Sequence, residues 1–92
     1  MKVNVKLGTR FRDVFDREDI QVELEDGTNV GDLLDVLFDT KERRDRLFSG
    51  SGNLRSNVMV TKNRRFIIHL NWLNTALEDG DNIEIRNLVS GG

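Results

Sequence analysis

The sequence predicts an α+β fold, a mixed sheet with one principal helix packed across it, on three observations. Apolar residues alternate with polar ones near the start (Val3, Val5, Leu7) and near the end (Ile83, Ile85), the two-residue period of half-buried strands. Between them a single segment changes to the three-and-four spacing of a helix. At 92 residues the chain has room for one modest core, so these elements must share it.

Taken in order, Val3, Val5 and Leu7 form the first strand against Asn4 and Lys6. Ile20, Val22 and Leu24 repeat the pattern, and the charged stretch from Arg10 to Asp19 makes the pair a hairpin with a long connection. Glu25, Asp26 and Gly27 stop the second strand. Val30, Leu33, Leu34, Leu37 and Phe38 then fall on one face of an amphipathic helix expected to run to about Asp39, with Asp32, Asp35 and Asp39 directed elsewhere. Thr28 or Asn29 suits its N-cap, and Asp32 suits the positive end of its dipole. Periodicity is lost over residues 41–57, which read as a long surface loop with a short helical turn around residues 42–47. Residues 58–61 and 66–68 are short β-rich runs forming a second hairpin, and Asp79, Gly80 and Asp81 form the turn before the last strand.

Composition narrows the function. The net charge of −2 gives no general affinity for nucleic acid, and the absence of cysteine removes disulfides, thiol nucleophiles and thiolate metal sites. No apolar run approaches the ~20 residues needed to span a membrane, and no signal peptide is visible. A protein of the cytoplasm is expected. Arg43, Arg44, Arg46 and Arg55 cluster in the loop region, where a solvated surface is the first expectation and a docking surface for an acidic partner the second. His69 is the single histidine, placed on the surface or in a turn, and no metal site is expected. Trp72, in the turn Leu70-Asn71-Trp72-Leu73, is expected first to cover the core and second, if exposed, to serve as an interface hot spot. No pair of carboxylates is placed for acid–base chemistry, and no glycine-rich loop followed by lysine and serine or threonine cradles a phosphate.

The chain closes on Gly91-Gly92. A carboxylate on a glycine stalk meets little steric hindrance on entering a narrow pocket, because glycine adopts nearly any φ and ψ and lets another backbone approach. The order strand, strand, helix, strand, short strand, strand, followed by a free tail, is that of the β-grasp, or ubiquitin-like, fold. The domain is expected over residues 1–86 and the flexible C-terminal Gly-Gly tail over 87–92. Six extended residues reach about 20 Å, enough to thread a carboxylate into a partner's active site.

Phe11-Arg12-Asp13, Gly52-Asn53-Leu54-Arg55, Leu77-Glu78-Asp79-Gly80-Asp81 and Val89-Ser90-Gly91-Gly92, in that order, make the sequence resemble the sulfur carriers of the molybdopterin synthase small-subunit and thiamine sulfur-carrier type. The resemblance covers nearly the whole chain. It implies that an adenylating enzyme similar to ubiquitin-activating enzyme adenylates the Gly92 carboxylate, which is then converted to a thiocarboxylate that donates sulfur, with Gly91 as the flexible neighbour. It implies a non-catalytic carrier, monomeric when free, that binds no cofactor. ATP is used by the partner enzyme. The implied acceptor is a synthase resembling the molybdopterin synthase large subunit, with carriers for transfer RNA or thiamine thiolation as alternatives, beside a protein modifier joined through Gly92 by isopeptide bonds and a plain interaction module. Val89 and Ser90 of the tail, with an apolar patch of Leu88, Phe66 and Ile68 at its root, are the expected partner-binding residues. Two positions depart from the family pattern. Gly8 stands where an aromatic residue is common, and Arg86-Asn87-Leu88 replaces an aromatic-Pro-Pro stretch. Relatives also commonly carry glycine in the turn that holds Trp72.

Overall fold

The computed structural model describes residues 1–88. They form a mixed sheet in the order β2-β1-β5-β3-β4, built from β1 (Lys2–Leu7), β2 (Asp19–Glu23), β3 (Val58–Lys62), β4 (Arg65–Phe66) and β5 (Asn82–Asn87). β1 and β5 are the parallel pair, with Val5 opposite Ile83 and Leu7 opposite Ile85. β2 lies antiparallel to β1, and β3 antiparallel to β5. This is the β-grasp arrangement, with the last strand in the middle of the sheet rather than at its edge.

Alternation sends Val3, Val5, Leu7, Val60, Ile83 and Ile85 to one face, where they are all buried. Across them lies α2 (Val30–Leu37), whose Val30, Leu33, Leu34 and Leu37 are buried as the spacing predicts. Each fully buried leucine contributes roughly 1.5–3 kcal/mol. Asn29 is the N-cap: its side chain accepts from the Asp32 amide at 2.8 Å, and the Asp32 carboxylate accepts from the Asn29 amide at 3.4 Å, a reciprocal capping box. The helix ends two residues earlier than its pattern suggests. Phe38 leaves the helical region (φ −99°, ψ 61°) so that its ring can enter the core between Phe11, at 5.8 Å, and Phe15, at 5.0 Å.

The connection between β1 and β2 is not a plain turn. It holds a 3-10 turn (Thr9–Phe11) and the short α1 (Arg12–Phe15), which carry Phe11 and Phe15 inward. The stretch expected as a long loop begins, at the expected helical turn, with a third helix, α3 (Lys41–Leu47), capped by the Thr40 hydroxyl, which accepts from the Arg43 amide at 3.2 Å. Leu47 is its one buried residue, so no apolar period could have announced it.

Of the arginine cluster, Arg44, Arg46 and Arg55 are exposed as expected, and Arg43 is half-buried. Arg43 donates to the Val14 carbonyl at 3.1 Å and stacks 4.2 Å from the Phe15 ring centre. Arg44 pairs with Asp35 at 3.3 Å and lies 4.6 Å over Phe48. Arg55 donates to the Asp45 carbonyl at 2.8 Å. Forked, planar guanidiniums are suited to tying loops to carbonyls and rings, and here Arg43, Arg44 and Arg55 brace the fold as well as coat it.

Candidate functional site at the root of the tail

β5 carries the chain out of the centre of the sheet to Leu88. Two backbone bonds fix that exit: the Gly8 amide donates to the Ile85 carbonyl at 2.8 Å, and the Leu88 amide donates to the Asn57 carbonyl at 2.6 Å. Gly8 has an ordinary φ of −70° but little space. A Cβ there would sit 3.2 Å from Cα of Arg86 and 3.4 Å from the Ile85 oxygen. A glycine at this departure from the family pattern therefore lets β1 close on β5 where the tail leaves. Gly91, Gly92, Val89 and Ser90, the tail residues singled out from the sequence, lie outside the described residues.

The start of β5 is clamped separately. Asp81, buried, accepts from the Glu78 amide at 2.7 Å and the Asn63 side chain at 2.9 Å, and Lys62 lies 3.5 Å from its carboxylate. Gly80 permits the turn with φ 85°. The clamp ties the β3–β4 hairpin to β5. Its two-residue loop, Asn63 and Arg64, has both φ values positive (50° and 71°), as a type I′ hairpin requires.

This frame places an apolar surface beside the exit of the tail. Leu88 is 53% exposed, Phe66 44% and Ile68 68%, and all three line one groove of ≈ 340 Å³. The sequence groups these residues as an apolar patch at the tail's root, with 66–68 as a β run, although only Arg65 and Phe66 are strand. Ile68 belongs to a 3-10 turn (Ile67–His69), with Ile67 turned into the core. His69 is on the surface as expected, its ring 6.2 Å from that of Phe66.

Trp72 also lines the groove, and there the first expectation fails. It is 44% exposed instead of covering the core. The turn packs Leu73 against the core and buries Thr75, while Trp72, with φ 53°, stays exposed ahead of them. Nothing in the local sequence marks that torsion.

Among the described residues no group of three or more His, Asp or Glu side chains could hold a metal ion, and no helix is long and apolar enough to cross a membrane. The arrangement suits docking: a rigid exit strand, an exposed apolar groove at its end, and a chain terminus to follow.

Known proteins share this architecture. The profile of the ThiS family matches residues 5–92. Small archaeal modifier protein 3 of Haloferax volcanii is 30% identical over 92 residues, covering all of both chains. The crystal structure of SAMP1 from Haloferax volcanii superposes with a TM-score of 0.84 at 26% identity, again over 100% of each chain. A chain of the BexX/CysO complex from Amycolatopsis orientalis gives a TM-score of 0.77 at 25% identity, covering 98% of this chain and 99% of that one.

Proposed function

This chain belongs to the ThiS family of ubiquitin-like sulfur carriers and small modifiers, and from that premise we propose that it carries sulfur on Gly92 as a thiocarboxylate made by an ATP-dependent, ubiquitin-activating-like partner. The observation that carries the reading is the exit of β5: the strand leaves the core at an exposed apolar groove, and Gly91-Gly92 follows four residues later. A carboxylate is a poor electrophile until one oxygen becomes a good leaving group. In the proposed reaction a Gly92 carboxylate oxygen attacks the α-phosphorus of ATP and displaces pyrophosphate. A sulfur nucleophile supplied by the partner system then attacks the acyl carbon and releases AMP. The chain contributes no catalytic group and no bound cofactor. It supplies a terminus a few residues beyond a surface that the partner grips.

In this reading the groove residues Phe66, Ile68 and Leu88 bind the activating enzyme and then the sulfur-accepting synthase, with Val89 and Ser90 in the channel between. Both encounters take place in the cytoplasm with the free carrier a monomer. The proposed acceptor is a precursor of molybdopterin or its tungsten counterpart, with transfer RNA or thiamine thiolation as the other sulfur-carrier outcomes.

A second reading has its own support, since the full-length relative at 30% identity is named a modifier protein. A lysine amine attacking the same acyl-adenylate would release AMP and leave an isopeptide bond. The two readings separate in protein isolated from its native cells. Sulfur carriage gives a terminal peptide heavier by about 16 Da, the same increment as methionine oxidation, so the gain must be localised to Gly92 and not to Met59. Modification gives branched peptides that resist reductant. A terminal peptide found only as the plain carboxylate, with no branched product, would contradict both.

A further inference from the structure

The geometry points to Trp72 as the anchor by which the activating enzyme grips this chain, its indole entering an apolar pocket bordered by carboxylates on that enzyme. The inference rests on the proposed activation of Gly92 for the identity of the partner and on the following observations for the residue.

Trp72 holds a torsion that bulky side chains avoid. At φ 53° it occupies the left-handed region, where a Cβ crowds the backbone. The turn enforces it. The Trp72 carbonyl accepts from the Thr75 hydroxyl at 2.6 Å and from the Thr75 amide at 3.1 Å, while the same hydroxyl accepts from the Asn71 amide at 3.0 Å. Thr75 is 5% exposed, so the network is built into the body of the protein. A residue placed only for packing would gain by turning inward. Here the strained backbone instead holds a large aromatic ring at the surface, 44% exposed, where strain is retained when something other than stability is served.

Its surroundings define the occupant. Trp72 shares its groove with Phe66, Ile68 and Leu88, the other large apolar side chains there that remain exposed. The charged member of the lining is Arg55, and the exposed Arg65 precedes Phe66 on β4. An apolar floor with a cationic border is complementary to an apolar surface edged with carboxylates. Position selects which partner. From Leu88 to Gly92 the chain can span at most about 14 Å, so an enzyme holding the Gly92 carboxylate at its nucleotide must lie against the groove. Partly buried tryptophans ringed by apolar neighbours are the residue type that most often dominates such contacts.

Trp72 is the one tryptophan in the chain, which allows a direct test. The full chain is labelled with 5-fluorotryptophan and titrated with the unlabelled adenylating enzyme of the same organism. The single fluorine resonance is expected to shift saturably, and to do so with Gly92 deleted as well. In ATP–pyrophosphate exchange, Trp72→Gly is expected to raise KM for the chain by about tenfold or more, with kcat far less affected. Its thermal midpoint should stay level or rise, because glycine relieves the left-handed torsion. Arg65→Glu should raise KM most at low salt. A fluorine signal unmoved while exchange proceeds would overturn the anchor alone. So would a Trp72→Gly chain with the parent KM, or one whose midpoint falls with kinetics unchanged. A shifted signal without any exchange would leave the anchor standing and overturn the activation of Gly92. Neither shift nor exchange would overturn both.

Discussion

The guanidinium of Arg43 lies 4.2 Å from the centre of the Phe15 ring while its Nε donates to the Val14 carbonyl at 3.1 Å. One side chain of α3 thus ties down both the backbone and the ring of α1. Replacing Arg43 with alanine should cost about 1–2 kcal/mol, combining a charge-assisted hydrogen bond and a cation–π contact, discounted because the side chain is one-third exposed. Arg43→Lys should recover little, since an ammonium cannot stack and donate in the same plane. Urea midpoints of the two variants check this. If alanine and lysine variants both match the parent, the brace is decorative.

Gly8 is expected to reject side chains for reasons of space. A Cβ would meet backbone, Cα of Arg86 at 3.2 Å, which cannot rotate away. Gly8→Val should destabilise by about 1–3 kcal/mol, as overpacking does. Gly50→Ala, where nothing lies within 4 Å, should stay within about 0.5 kcal/mol of the parent. Thermal denaturation of both would show whether the β1–β5 approach, and with it the exit of the tail, is as tight as described.

Leu34 is wholly buried beneath α2. Truncation to alanine removes three carbons and leaves a cavity that a helix capped at Asn29 cannot collapse freely, so Leu34→Ala should cost ~2–5 kcal/mol. Val36, on the same helix but 56% exposed, should tolerate alanine with a change under about 0.5 kcal/mol. Equal losses at the two positions would mean a different helix register.

What the sequence made legible was whatever burial writes into periodicity. Val3, Val5 and Leu7, the α2 stripe and the Asn29–Asp32 cap all appear where the spacing puts them, because one buried face fixes register. α3 was legible only as a short helical turn. With Leu47 its only buried residue, its place is set by contacts to Val14, Phe15 and Asp35, which are distant in sequence. The same blindness hid the contacts that Arg43, Arg44 and Arg55 make to carbonyls and rings, although the exposure of Arg44 and Arg55 was expected. At the site, Phe66, Ile68 and Leu88 were legible as an apolar patch at the tail's root, whereas the exposure of Trp72 was legible only as the second of two readings, because its orientation follows from a torsion held by the buried Thr75.

The most direct test of the central claim is ATP–pyrophosphate exchange by the purified adenylating partner, supplied with the parent chain, with a chain lacking Gly92, and with a chain extended by one alanine. Shortening by one residue withdraws the carboxylate by about 3.5 Å from the attacking position, and the added alanine overreaches while bringing a Cβ next to the reacting group. The account predicts exchange with the parent, little or none with either variant, and thermal midpoints that are the same in all three. Exchange with either variant equal to that of the parent would contradict it, and the groove at the end of β5 would then serve binding without activation.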